Sequence, residues 1–312
     1  MIRAAMLCIG ALALLLTGCN RDGGSAAKSS NIRIAVIPKG TTHEFWKSVE
    51  AGAKKAGDDL KVEIIWKGPL KEDEKNQQIA LVEQFVSDGV SGICLAPLDD
   101  TALLAPVKSA SNKKIPVVIY DSALKGEVGK DFVSFVATNN RLGGRMAGEE
   151  MVKSLGPNKK VVLLRYKEGS ASTMEREAGF LEAIAKDPQI TVIEQNRYAG
   201  ATMGEAQTAA MNMIDKLREA GGIFCPNESS TMGMLLALRQ NGLAKKVLFI
   251  GFDASPPLLE AVRNEEIHGL IAQDPTGMGY KAVETIVKSL KGEKVPDYID
   301  TGCKLMTKAT LQ

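Results

Sequence analysis

Short apolar, β-branched runs alternate with amphipathic stretches along most of the chain. Ile32–Ile37, Val62–Trp66, Val90–Ala96, Val117–Tyr120 and Phe132–Ala137 read as strands, separated by helical periodicity over about Glu44–Asp59, Asp73–Ser87 and Thr101–Ser111. A second series opens with a helix over Arg141–Ser154. It continues with strands at Val161–Arg165, Thr191–Glu194, Gly222–Pro226, Val247–Phe252 and Ile267–Gln273. Helices are predicted between and after them at Thr173–Lys186, Met203–Glu219, Thr231–Asn241, Pro256–Asn264 and Met278–Leu290. Strands that are apolar on both faces belong to sheets covered on both sides, and regular alternation with helices implies parallel strands with right-handed crossovers. There are too many strands for one compact sheet at this length. The pattern therefore predicts an α/β protein of two doubly wound parallel-sheet lobes, although no convincing sequence repeat relates them.

Helix starts carry local signals. Ser172-Thr173-Met174-Glu175 reads as a capping box, and Ser255-Pro256 as an N-cap followed by proline at the first helical position. Asp99-Asp100 before a helix reads as a cap and dipole complement. Gly277-Met278-Gly279-Tyr280-Lys281-Ala282 matches a dinucleotide fingerprint in form, but it comes late and no strand-ending acid follows at the right distance. A tight turn and close helix packing account for it better.

Composition narrows the function. The net charge is +2 with no basic stripe, which gives no electrostatic reason to expect nucleic acid. At the N-terminus, Arg3 precedes an apolar run from Ala4 to Leu16, too short to span a bilayer of ~30 Å and of the length of a secretory h-region. No later run is long enough to span. Residues 20–31, rich in Gly, Ser, Ala and Lys, read as a flexible tether. Cys94 and Cys225 lie in apolar runs and are expected as buried thiols. The cysteines show no metal-ligand spacing, and a Cys225–Cys303 bridge stays open.

Catalytic constellations are missing from the sequence. There are two histidines, His43 in the first strand–helix turn and His268 near the start of a strand, where a structural role is expected. No Ser–His–acid set can be assembled, and there is no Walker A motif. Asn227-Glu228-Ser229 has the form of a glycosylation sequon by coincidence. Neither an enzyme nor a cofactor is expected.

Ligands of open α/β sheets bind outside the carboxyl ends of the strands. Those loops carry Thr42-His43-Glu44-Phe45-Trp46, Tyr120-Asp121-Ser122, Cys225-Pro226-Asn227-Glu228, Gly251-Phe252-Asp253 and Ala272-Gln273-Asp274-Pro275. In order and spacing they resemble the ribose-binding-protein family of type I periplasmic sugar-binding proteins. Leu142-Gly143-Gly144 and Gly169-Ser170 extend the resemblance, which covers nearly all of Ile32–Lys308. It implies two lobes joined by a three-segment hinge, the periplasmic binding protein type I fold. Residues 31–137 plus 274–296 would form the N-terminal lobe, and 138–273 plus 297–312 the C-terminal one. Phe45 and Trp46 would stack on the apolar face of a sugar. Asp121 and Asp253 would accept from hydroxyls, and Asn227 and Gln273 would supply amides.

Four positions depart from the ribose pattern. Ser122 and Met174 fall where ribose binders carry arginines, and Ala96 and His43 where they carry asparagines. Charge-assisted hydrogen bonds are worth roughly 1.5–3 kcal/mol each, so the loss of two arginines argues against ribose itself. Arg165, Lys167, Glu168 and Tyr198 are expected to rebuild the pocket. Leu16-Thr17-Gly18-Cys19, closing the h-region, resembles the lipobox of bacterial lipoproteins. That implies a signal peptide over residues 1–18, lipidation of Cys19, and a tether over 19–30. The protein would then be anchored to a bacterial membrane and face the periplasm or cell exterior. For a Gram-negative host, Asn20 after it resembles an outer-membrane sorting signal, and a single-membrane host stays open.

The function implied is the solute receptor of an ABC importer. Such a receptor captures a monosaccharide or related polyol and hands it to a permease and its ATPase, and is expected as a monomer. The alternative is a sensory subunit presented to a chemoreceptor or histidine kinase. A lactose-repressor-type regulator shares the fold but needs a DNA-binding module where the lipobox stands.

Overall fold

The computed structural model describes residues 32–311. The expected signal peptide, Cys19 and the tether lie outside the described residues. Ten strands are separated by helices except where β5 follows β4 directly: β1 (Arg33–Ile37), β2 (Glu63–Trp66), β3 (Gly92–Leu95), β4 (Val117–Tyr120), β5 (Ser134–Ala137), β6 (Lys160–Leu163), β7 (Thr191–Glu194), β8 (Gly222–Phe224), β9 (Leu248–Phe252) and β10 (Gly269–Gln273). Two short strands follow, β11 (Tyr298–Asp300) and β12 (Cys303–Thr307). They form two six-stranded sheets of the same design, ordered β11-β5-β4-β3-β1-β2 and β12-β10-β9-β8-β6-β7. Every pairing is parallel except β12 against β10.

Side-chain alternation along each strand feeds two cores per sheet. Ile34, Val36, Cys94, Val118 and Tyr120 pack on one face of the first sheet, while Ala35, Ile37, Ile93, Leu95 and Ile119 pack on the other. The second sheet divides in the same way, with Val162, Ile223, Cys225 and Phe249 opposite Val161, Phe224, Ile250 and Phe252. Cys94, Cys225 and Cys303 are all free thiols, so no bridge joins Cys225 to Cys303.

The helices are α1 (Glu44–Leu60), α2 (Lys75–Ser87), α3 (Leu104–Asn112), α4 (Asn140–Ser154), α5 (Ala171–Ile184), α6 (Met203–Met211), α7 (Ile214–Glu219), α8 (Glu228–Gln240), α9 (Pro256–Arg263) and α10 (Pro275–Leu290). Among them, none is long and apolar enough to cross a membrane. The Gly277–Ala282 segment is the first turns of α10. Asp274 caps it by accepting from Gly277 N at 2.8 Å, and a Cβ on Gly279 would overlap the Val49 carbonyl of α1. Close helix packing is thus its role.

Three expectations need correction. The single helix over Met203–Glu219 is two helices, α6 and α7, broken at Asn212-Met213, where Met213 leaves helical geometry (φ −122°) while its side chain stays in the core. Ser172 does not cap a helix. α5 begins at Ala171 with Ser170 as N-cap, and Glu175 instead pairs with Arg141. Finally, β11 pairs with β5 in the first sheet, so the third crossing falls after Asp300, not after Pro296. β11 and β12 escape a hydrophobicity reading because both are short and none of their residues is buried.

Candidate ligand-binding cleft

Between the lobes, at the carboxyl ends of both sheets, lies a cavity with about 320 Å³ of space free of protein atoms, part of it open to solvent. The N-terminal lobe supplies Lys39 beyond β1, His43, Phe45 and Trp46 at the start of α1, Glu72 in the β2–α2 loop, and Asp121 after β4. From the C-terminal lobe come Tyr166 after β6, Thr173 and Arg176 on α5, Asn227 and Glu228 at the start of α8, Asp253 after β9, and Gln273 ending β10.

Asp121 and Asp253 occupy equivalent places in the two sheets. Each follows the strand third from the β11 or β12 edge, and each donates its backbone N–H to the neighbouring strand, to Val136 O at 3.0 Å and Ile271 O at 2.9 Å. Both have left-handed backbone, φ 61° and 71°. Aspartate tolerates this better than most side chains because its short carboxylate finds local partners. Asp121 pairs with Lys39 Nζ at 3.0 Å, and both side chains are buried. Asp253 accepts from Glu228 N at 2.8 Å and from Gln273 Nε2 at 2.7 Å.

The aromatic wall is built around Glu72. Its Oε1 accepts from Trp46 Nε1 at 2.7 Å and meets His43 Nδ1 at 2.8 Å; its Oε2 accepts from Tyr166 Oη at 2.8 Å. Phe45 stands edge-on to Trp46, with ring centroids 4.9 Å apart. Burial opposes charge on His43, but the Glu72 carboxylate outweighs it and raises the imidazole to about 9. Burial likewise opposes charge on Glu72, yet His43, Lys39 and the Trp46 N–H hold it down at about 2. Burial pushes Asp253 above the usual carboxylate range against the opposing pull of Arg176 and of the hydrogen bonds from Gln273 and Glu228 N, and burial with the nearby Asp253 does the same to Glu228.

Arg176 is the pivotal cation. Its Nε donates to Asn140 Oδ1 at 2.8 Å, its Nη1 to Pro226 O at 2.9 Å, and its guanidinium lies 3.9 Å above the Phe252 ring. Its Nη2 is buried without a protein partner, as is Gln273 Oε1. A charged donor and an amide acceptor, each held by a lining residue, thus remain free to bind a polar guest.

Seven of the anticipated residues line this cavity together: His43, Phe45, Trp46, Asp121, Asn227, Asp253 and Gln273. Two do not. Ser122 is buried, and its Oγ accepts from Ser172 N at 3.1 Å. Met174 is 41 % exposed, on another face of α5. The arginine sought at Met174 stands two residues on, at Arg176, a rotation of about 200° around the helix. Ala96 sits in the core. The substitutes expected from 165, 167, 168 and 198 do not line the cavity either. Arg165 pairs with Glu177 at 2.7 Å, Lys167 Nζ donates to Glu72 O at 2.7 Å, and Tyr198 is half-exposed. Lys39, Glu72, Tyr166, Thr173, Arg176 and Glu228 do the lining that was missed. For Lys39 and Tyr166 a signal existed, since each lies within three residues of a strand's carboxyl end.

A family model described as a periplasmic binding protein domain matches residues 34–294. The ribose import binding protein RbsB of Salmonella typhimurium is 31 % identical over 287 residues, 91 % of this chain and 93 % of that protein. A solute-binding protein of an ABC transporter from Agrobacterium vitis, solved with bound D-fucose, superimposes with a TM-score of 0.86 at 34 % identity, covering 90 % of this chain and 97 % of that one. A carbohydrate transporter solute-binding protein from Agrobacterium radiobacter, in complex with D-arabinose, gives 0.86 at 32 % identity over 91 % and 97 %. With two like-ordered sheets, a cleft at their carboxyl ends and these relatives, the chain belongs to the type I periplasmic sugar-binding proteins.

Proposed function

We propose that this protein is the extracytoplasmic solute receptor of an ABC importer. It captures a monosaccharide or related polyol between its lobes and delivers it to a permease and its ATPase. One observation carries the reading: Arg176 Nη2 and Gln273 Oε1, buried and unpartnered, belong to residues that line a small cavity with Phe45 and Trp46. A sugar offers apolar C–H faces to the aromatics and paired hydroxyls to the guanidinium, the amide and the strand-end carboxylates. His43, Asp121, Asn227 and Asp253 complete the proposed contacts. Relatives whose names specify ribose, D-fucose and D-arabinose fit the same class. The arginine at 176 removes much of the case against ribose, so ribose belongs among the candidates.

Thermal shift against pentoses, hexoses and polyols tests this. A ligand at a hundredfold excess over its Kd stabilises by about 2.7 kcal/mol, a rise of roughly 4 °C for a chain of this size. No shift with any sugar or polyol at millimolar concentration would sink the reading. We further propose lipid anchoring through Cys19 and a monomeric state. Replacing Cys19 with serine should move the protein from the membrane fraction to the soluble one.

A further inference from the structure

Glu72 is a buried carboxylate whose two oxygens serve different lobes. Oε1 is taken up within the N-terminal lobe by His43 and Trp46, whereas Oε2 meets only the Tyr166 phenol of the C-terminal lobe. The Glu72 carbonyl receives Lys167 Nζ from that lobe as well. Both ends of the contact are held from behind. Gly40 leaves the room that the Glu72 stem occupies, since a Cβ there would come within 2.9 Å of Glu72 Cγ. Tyr166 N donates to Glu177 Oε1 at 3.0 Å, and Arg165 neutralises the same carboxylate.

We propose that Glu72 is a clasp, a positioning residue that holds the lobes closed through Tyr166 and ties the aromatic wall to closure. The inference rests on the binding reading above, but the contact is made between protein groups and acts with or without a guest. Two donors fix the carboxylate before the lobes meet, so closing costs little ordering at Glu72. Hydrogen bonds to charged groups are strong, and this one needs the two lobes close enough for Tyr166 to reach Glu72. Because Trp46 and His43 hold Oε1, a ring seated against Trp46 stiffens the clasp, and the clasp in turn holds Trp46 in place. Ligand release therefore requires this bond to break.

The test uses Tyr166→Phe, which removes the cross-lobe bond and leaves Glu72 with His43 and Trp46. Small-angle scattering of the ligand-free protein should show a larger radius of gyration for Tyr166→Phe than for wild type. Any sugar that binds wild type should bind the variant roughly tenfold more weakly, through faster dissociation. Glu72→Gln, whose amide can still face the phenol, should fall between the two. A melting temperature within a few degrees of wild type separates this from a folding defect. Scattering and dissociation rates identical to wild type would overturn the clasp. Should wild type bind no sugar at all, the transport reading fails, while the scattering comparison still decides the clasp.

Discussion

Gly144 on α4 and Arg176 on α5 touch backbone to backbone, so closely that a Cβ on Gly144 would overlap the Arg176 carbonyl oxygen. Next to it, Gly143 leaves room for the Phe252 ring on which the Arg176 guanidinium lies. The glycine pair thus sets the depth at which the arginine enters the cleft.

Gly144→Ala should be among the most disruptive single-methyl changes in the protein. Inserting a methyl where backbone cannot yield costs typically 1–3 kcal/mol, and here α5 must shift with its arginine. The expected result is a melting temperature lower by several degrees, with weaker sugar affinity in the fraction that folds. Calorimetric melting and titration check both.

Arg176 and Met174 make a paired test of which face of α5 meets the ligand. Arg176→Lys keeps the charge but loses the fork that reaches Asn140, Pro226 and the cleft at once. Affinity should fall at least tenfold, the equivalent of ~1.4 kcal/mol. Met174→Ala should leave affinity within about twofold, because that side chain is 41 % exposed and outside the cavity. The opposite ranking in isothermal titration would return the site to Met174.

The His43–Glu72 pair predicts a pH window. The imidazole rises from its ordinary 6.5 to about 9 in the folded protein, so its contribution to stability is complete below about 6.5 and lost as pH climbs through 9. Glu72 is held down to about 2, so its contribution is present above its ordinary 4.5 and fails only as pH falls toward 2. Thermal melts from pH 6 to 9.5 should therefore show wild type losing its advantage over His43→Asn as pH rises. A constant difference across that range would contradict the pairing.

The order of elements, the two-lobed α/β class and most of the strand-end residues were legible from local sequence. Apolar runs buried on both faces, helical periodicity and turn chemistry are short-range properties, and each is written where it acts. Asp121, Asn227, Asp253 and Gln273 could be placed because each lies at a strand's carboxyl end or within three residues after it, where such sheets face the cleft. Tertiary structure decided the remainder. Whether Met174 or Arg176 faces inward depends on the rotation of α5, which Gly144 fixes from another helix. Glu72 lies in a loop with no periodicity, and its role exists only because His43, Trp46 and Tyr166 converge on it from two lobes. β11 and β12 are strands by virtue of their neighbours' hydrogen bonds, without a buried residue of their own. Local pattern specifies an element; the partner that a buried charge finds across a cleft is set by packing between segments far apart in the chain.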